Sequence, residues 1–197
     1  MHEIEPYYSW RDRYTAETDE LSPFFGNQYN EFAYDKKIYN YFIHPQWDDI
    51  ESQGLFVKLL FADYEEQFAI IELFGEWNDG IDNDMMLLRR ELIDPLLEEG
   101  IIHFILIGEN VLNFHADFSD YYEELHEELQ EAGGWIVGLN FRNHVVEEME
   151  RADIPFFIQL RDPFNQVKWR PYKPELLFQN IQNLFSQWLD DGLLKLS

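Results

Sequence analysis

Short, unbroken apolar runs alternating with amphipathic segments constrain this chain more than any other feature of its sequence. Ile101–Ile107, Trp135–Leu139 and Phe156–Leu160 are too short for buried helices and lack the polar alternation of a half-exposed strand. Each reads as a strand covered on both faces. Between them, Ser119–Ala132 places Tyr122, Leu125 and Leu129 on one helical face and stops at Gly133-Gly134, and His144–Ala152 supplies a further helix. Upstream, GLFVKLLFADYEEQFAIIELFGEW contains two β-prone runs, Leu55–Ala62 and Phe68–Phe74, joined by a polar five-residue turn, Asp63–Gln67. That pattern is a hairpin. A helix follows it, with Met86, Leu87, Arg90, Ile93 and Leu97 at helical spacing, Asp82 or Asn83 as its cap, Gly100 at its end and a change of course expected at Pro95.

With a β-prone stretch at Phe32–Ile43 in front, ended by His44-Pro45, and an amphipathic helix over Pro174–Leu189 behind, the order of elements predicts an α/β fold. Its sheet is mixed: an N-terminal antiparallel hairpin followed by alternating helices and parallel strands, with the four covered runs after residue 65 side by side in one layer. At 197 residues and 46% hydrophobic, the chain has apolar area for one sizeable core, so a single domain over 1–197 is expected. Within it, residues 1–32 form an aromatic extension wrapped on the body, 33–165 the core, and 166–197 a C-terminal helical extension.

The formal charge is −25, from 39 acidic against 14 basic residues. Such a field repels phosphate backbones and anionic lipid surfaces, which excludes nucleic acid and membranes as partners. The one basic, aromatic-interleaved stretch, Lys168–Lys173, is read as pairing locally with carboxylates. No cysteine is present, so disulfides, thiolate metal sites and thiol catalysis are out. The first residues, MHEIEPYYSW, carry acids where a signal peptide carries basic and then apolar residues, and no apolar run reaches the roughly twenty residues of a membrane span. A soluble, cytoplasmic protein is expected.

From Phe68 to about Leu160 the chain resembles a STAS domain, the fold of bacterial anti-sigma factor antagonists. The stretch LHEELQEAGGWIVGLNFRNHVVEEMERADI, Leu125 to Ile154, carries the likeness: a helix ending in Glu-Ala-Gly-Gly, a strand closing on Gly138-Leu139, then Val145 and Met149 on the next helix. IIHFILIGENVLNF resembles the strand leading into that family's switch loop. The resemblance implies a regulatory, protein-binding role, switched by phosphorylation of a serine in Asp-Ser-Ser-Gly at the head of the following helix. Here that place holds His115-Ala116-Asp117-Phe118, without a phospho-acceptor. Ser119 is either a shifted acceptor or the helix N-cap, its hydroxyl satisfying an orphan amide. Asp117 either imitates a permanent phosphate or serves the helix dipole.

In open α/β sheets, ligands bind beyond the carboxyl ends of the parallel strands. That rim gathers Glu109, Asn110, Asn113, His115 and Asp117 after one strand, Asn140, Arg142, Asn143 and His144 after the next, and Glu76, Trp77, Asn78 and Asp79 from the hairpin. Trp77, Asn78, Asp79, Asn113, Ser119, Asn140 and Arg142 are the candidate binding residues. His115, Asp117 and His144 are the catalytic candidates. The spacing in NDGIDND does not fit an EF-hand, and Glu123-Glu124-Leu125-His126 supplies the Glu-x-x-His of a carboxylate-bridged metal helix only once, so no metal and no cofactor are expected. Neither Gly-x-Ser-x-Gly, His-Glu-x-x-His, a Walker A loop nor a dinucleotide-binding turn occurs. His103, mid-strand, reads as a core histidine with a hydrogen-bonded partner. Two readings remain open: a non-enzymatic protein-binding or scaffold protein, self-association as a homodimer included, acting through the aromatic arm (Tyr7, Tyr8, Trp10) or the rim; and a hydrolytic or metal-assisted enzyme built on His115, Asp117 and His144.

Overall fold

The structure, a computed structural model, describes residues 2–30, 32, 34, 36–116 and 119–194. In chain order the elements are β1 His2–Ile4, β2 Lys37–Ile38, β3 Tyr41–Ile43, β4 Leu55–Asp63, β5 Phe68–Asn78, α1 Asp84–Leu88, α2 Asp94–Glu98, β6 His103–His115, α3 Asp120–Glu131, β7 Trp135–Leu139, α4 Asn143–Arg151 and α5 Pro174–Leu194. The main sheet has the order β4-β5-β6-β7. The hairpin pair β4 and β5 is antiparallel, whereas β5 with β6 and β6 with β7 are parallel. This is the mixed sheet expected from the apolar runs.

Both faces of the sheet are covered, which is why its strands read as continuous apolar runs rather than alternating ones. One face carries Leu73, Phe104, Leu106 and Ile136 against Leu88, Leu92, Leu125, Leu129, Val145 and Met149 of the helices. The opposite face carries Phe68, Ile70, Ile105 and Val137 against Trp10 of the N-terminal arm, Trp169, and Leu177, Phe178 and Ile181 of α5. Phe68 and Phe178 stack with centroids 4.1 Å apart and planes at 2°. Burying each such side chain contributes about 1.5–3 kcal/mol.

The arm lies against the body and is not presented to solvent. Trp10 is buried and donates its indole N–H to the Tyr172 carbonyl at 3.1 Å, and Tyr7 and Trp169 meet edge-on at 4.6 Å. Farther on, Tyr14 and Tyr64 both donate to Asp19, joining the arm to the hairpin turn. Arg170 of the basic stretch pairs with Glu109, as local neutralisation requires.

Four expectations need correction. In place of one strand over Phe32–Ile43, the described residues there hold the short β2 and β3, which with β1 make a separate three-stranded sheet of order β1-β3-β2. Phe156–Leu160 is not a fourth covered strand. Pro155, lacking an N–H, starts a 3-10 turn over Ile154–Phe156, Phe156 is 65% exposed, and only Gln159 bridges to Val137. The helix at Pro95 changes course one turn earlier, through a π-helical turn at Arg89–Ile93 in which the Asp94 amide reaches back to the Arg89 carbonyl. Finally, β6 does not stop near Ile107. It runs on to His115, taking up an extra residue against β5 between the pairs Glu72↔Ile107 and Phe74↔Asn110, and again between Gly75↔Val111 and Glu76↔Asn113. Gly108 at the first bulge leaves room for the Phe141 ring, since a Cβ there would lie 2.4 Å from it and force it to shift.

Candidate functional site

Because β7 pairs β6 only through Ile107↔Leu139, the last eight residues of β6, Gly108 to His115, leave one edge without a strand partner. Exposed edge carbonyls require other donors. Two of the candidate site residues supply them: Arg142 Nε donates to the Glu109 carbonyl at 3.2 Å, and His144 Nε2 sits 2.7 Å from the Leu112 carbonyl. A carbonyl oxygen only accepts, so this ring nitrogen carries the proton. On the other edge, Asn113 donates to Glu76 and to the Tyr39 hydroxyl, which itself donates to Glu76.

The end of β5 is organised by Asp79. Its backbone N–H donates to the His115 carbonyl at 2.8 Å, tying the ends of β5 and β6 together. Its carboxylate accepts from the Met85 amide at 2.6 Å, from Trp77 Nε1 at 3.2 Å and from the Tyr122 hydroxyl. One residue thereby joins the ends of β5 and β6, through its amide, to the first turns of α1 and α3, through its carboxylate. Burial raises the Asp79 carboxyl above the usual carboxylate range, and the bonds from Tyr122, Met85 and Trp77 pull the other way. Asp84, beside it, accepts from Ser52 Oγ at 2.6 Å and from the Asn78 amide at 2.7 Å; burial pushes it up to about 6. Asn83 occupies the N-cap position of α1 in a left-handed conformation without a side-chain cap bond, and Asp79 does the capping from outside the helix.

The remaining candidates are placed as follows. Asn78 accepts from the Ile81 amide at 3.2 Å, closing the turn after β5. Asn140, with φ of 56°, donates to the Asn165 carbonyl at 3.0 Å. His115 is exposed at the end of β6. Ser119 holds the N-cap position of α3, and its carbonyl accepts from the Tyr122 and Glu123 amides, yet its hydroxyl makes no cap bond, contrary to the capping role read from the sequence. Asp117 lies outside the described residues. Among the described residues no group of three or more His, Asp or Glu side chains gathers at metal-binding spacing. A cleft of about 380 Å³ on the small sheet is lined by Lys36, Lys37, Asp49, Glu51 and Gln53 and by none of the candidate residues. His103 packs on Trp135 with ring centroids 4.7 Å apart and planes tilted by 31°, and its buried Nδ1 has no hydrogen-bond partner, unlike the bonded core histidine expected.

Sequence reasoning missed Asp84, Tyr122 and Ser52, because nothing in their spacing distinguishes a buried polar junction from a solvated loop or an ordinary helix face. It also missed Glu72. That residue is 1% exposed in mid-β5, where its carboxylate accepts from the Tyr7 amide at 2.7 Å and from Asn110 at 3.4 Å. A lone glutamate inside Ile-Ile-Glu-Leu-Phe was the available signal.

The chain is similar in structure to a STAS-domain protein over about half its length. It is similar to the anti-sigma factor antagonist SpoIIAA in its unphosphorylated form, with 15% identity and a TM-score of 0.42 over 52% of this chain and 84% of that one. It is likewise similar to the Bacillus cell fate determinant SpoIIAA in the phosphorylated form, with 15% identity and a TM-score of 0.37 over 52% of this chain and 87% of that one. No protein-family model matches the sequence, and no curated protein matches it. No helix among the described residues is long and apolar enough to cross a membrane.

Proposed function

We propose that this chain is a non-enzymatic, cytoplasmic protein-binding module of a regulatory or scaffolding kind, acting as one unit over 1–197 and engaging a protein partner through the rim at the carboxyl ends of β5 and β6. The observation that carries this reading is how the rim's polar groups are used. Arg142, His144, Asn78, Asn140, Asn113 and Asp79 are each bonded to groups of the chain itself. They brace the backbone. Beside them, and beside the exposed His115, the rim presents Ile81, 76% exposed, in the turn that Asn78 closes, and Tyr121, 42% exposed, in the first turn of α3. An exposed apolar residue on a loop held from several sides suits docking better than proton transfer, since binding a partner to a rigid surface costs less ordering entropy. The aromatic arm is engaged internally, so the rim is preferred over Tyr7 and Trp10 as the docking surface.

The test is affinity capture with the full chain and with an Ile81→Asp, Tyr121→Ala variant, alongside sedimentation to detect pairing of two copies. A protein, or a second copy, retained by the wild type and lost from the variant is expected. Equal retention by both, or none by either, rejects the reading.

A further inference from the structure

Two hollows of about 390 Å³ each lie side by side along the N-terminal arm, sharing a wall made by Arg11 and Gln46. Thr15, Glu17, Asn27 and Tyr29 complete the first, and Tyr8, Phe32 and His44 the second. Their size falls in the range of small-molecule pockets, about 300–1,000 Å³. Two opposite charges line the first hollow without meeting. Among the described residues Arg11 is in no ion pair, although Arg13, two positions on, pairs with Glu175. The Glu17 carboxylate is half-buried, and its Oε2 has no hydrogen-bond donor among the described residues. Lys58 does not answer it, because its charge is directed to Asp48 at 3.3 Å. The walls are held in place. The Arg11 guanidinium lies over the Tyr8 ring, 4.0 Å from its centroid, and Tyr8 meets the buried His44 edge-on at 6.2 Å. Tyr29 donates to the buried Asp48 and receives the Lys58 ammonium on its ring face at 4.1 Å. In the second hollow Phe32 presents a ring that is 90% exposed.

We propose that this groove binds a free α-amino acid with an aromatic side chain. Its carboxylate meets Arg11, whose guanidinium offers two parallel donors, and its ammonium meets Glu17. Both charges of such a ligand sit on one carbon, so the two contacts form together at the shared wall and the side chain is left to enter the second hollow. There it lies against Phe32 beside Tyr8, where rings pair edge-on or offset at a gain beyond the area they bury. The charge pattern decides against simpler ligands. A plain anion such as phosphate meets Arg11 but is opposed by Glu17 and by the field of a chain carrying −25; a plain amine meets Glu17 but is opposed by Arg11. A zwitterion has no net charge for that field to repel, and it pairs both groups at once. Arg11 is already held on Tyr8, and Tyr29 on Asp48, so little side-chain freedom is lost on binding. Such binding uses none of the rim residues and stands apart from any partner docked there.

The experiment is isothermal titration calorimetry of the full chain near neutral pH with L-phenylalanine, N-acetyl-L-phenylalanine, L-phenylalaninamide and L-alanine. Phenylalanine binds with a Kd below about 1 mM, and deleting its ammonium, its carboxylate charge or its ring weakens binding by about tenfold or more in each case. Arg11→Ala weakens phenylalanine to the level of its amide and no longer distinguishes the two; Glu17→Gln does the same for phenylalanine and its N-acetyl form. Absence of phenylalanine binding at about 1 mM overturns the proposal, as does equal affinity of the wild type for phenylalanine and either blocked form or alanine. Full affinity retained by both variants overturns it too. If a variant does not fold, the blocked ligands on the unaltered chain decide, because they delete the same two contacts from the other side.

Discussion

Replacing Asp79 by alanine tests whether the rim is held from one point. The substitution deprives the fully buried Tyr122 hydroxyl of its acceptor, removes the acceptor of the Met85 amide in the first turn of α1, and leaves Trp77 Nε1 to find another partner. A hydrogen bond to a charged group contributes about 1.5–3 kcal/mol, and an unpaired buried hydroxyl costs a further part of its desolvation. A lost helix cap costs about 1 kcal/mol. Against these stands relief of the burial that holds the Asp79 carboxyl above its usual range. The net destabilisation expected is about 2–4 kcal/mol, which for a chain of this size lowers Tm by roughly 5–15 °C. Urea unfolding at pH 7, followed by tryptophan fluorescence and far-UV dichroism, measures it directly. Asp79→Asn keeps one acceptor for the Met85 amide and should lose about half as much. A double-mutant cycle with Tyr122→Phe should give a coupling of about 1–2 kcal/mol. An alanine variant that loses less than about 1 kcal/mol, or effects that simply add, would falsify the view that this carboxylate joins the end of β5 to the two helices.

Three further outcomes follow from the same geometry. His144→Ala and Arg142→Ala each leave a β6 edge carbonyl without its side-chain donor and should each cost about 1 kcal/mol in urea unfolding, with far-UV dichroism unchanged. Gly108→Ala forces a methyl to 2.4 Å from the Phe141 ring, and a loss of about 2 kcal/mol or more, partly recovered by Phe141→Leu, is expected. For Glu72, whose pKa is raised from 4.5 to about 7, the folded protein holds a proton that the unfolded chain releases. This stabilisation is complete below about pH 4.5 and lost as pH rises through 7, amounting at most to about 3 kcal/mol, so the wild type minus Glu72→Gln difference in unfolding free energy should slope downward between pH 5 and 8.

What could be read from the residues follows from what burial on two faces requires. Continuous runs such as Phe68–Phe74 and Trp135–Leu139, with amphipathic helices between them, leave little choice but a sheet layered on both sides, and those elements formed where their own residues demanded. Gly-Glu-Asn at 108–110 sounded like the end of a strand because its polarity breaks the apolar run; β6 continues because β5 offers a ladder as far as Asn78, and a bulge absorbs the mismatch. Phe156–Leu160 failed in the other direction: Ile158 and Leu160 are core, yet Pro155 and the turn it starts leave only Gln159 to reach β7.

The site divides in the same way. Sequence alone determined that Asp79, Asn140, Arg142 and His144 follow the covered strands, whereas Asn78 and Asn113 lie within β5 and β6, whose pairing carries both strands further than the apolar runs. Only the tertiary structure decided what they do there. Whether a carboxylate is a ligand, a catalyst or a brace depends on which donors lie within 3 Å, and for Asp79 those donors come from residues up to forty-three positions away. Glu72 is the extreme case: its sequence neighbours mark it as buried, while its charge balance is set by Tyr7, Asn110 and Arg170, which only folding brings to it.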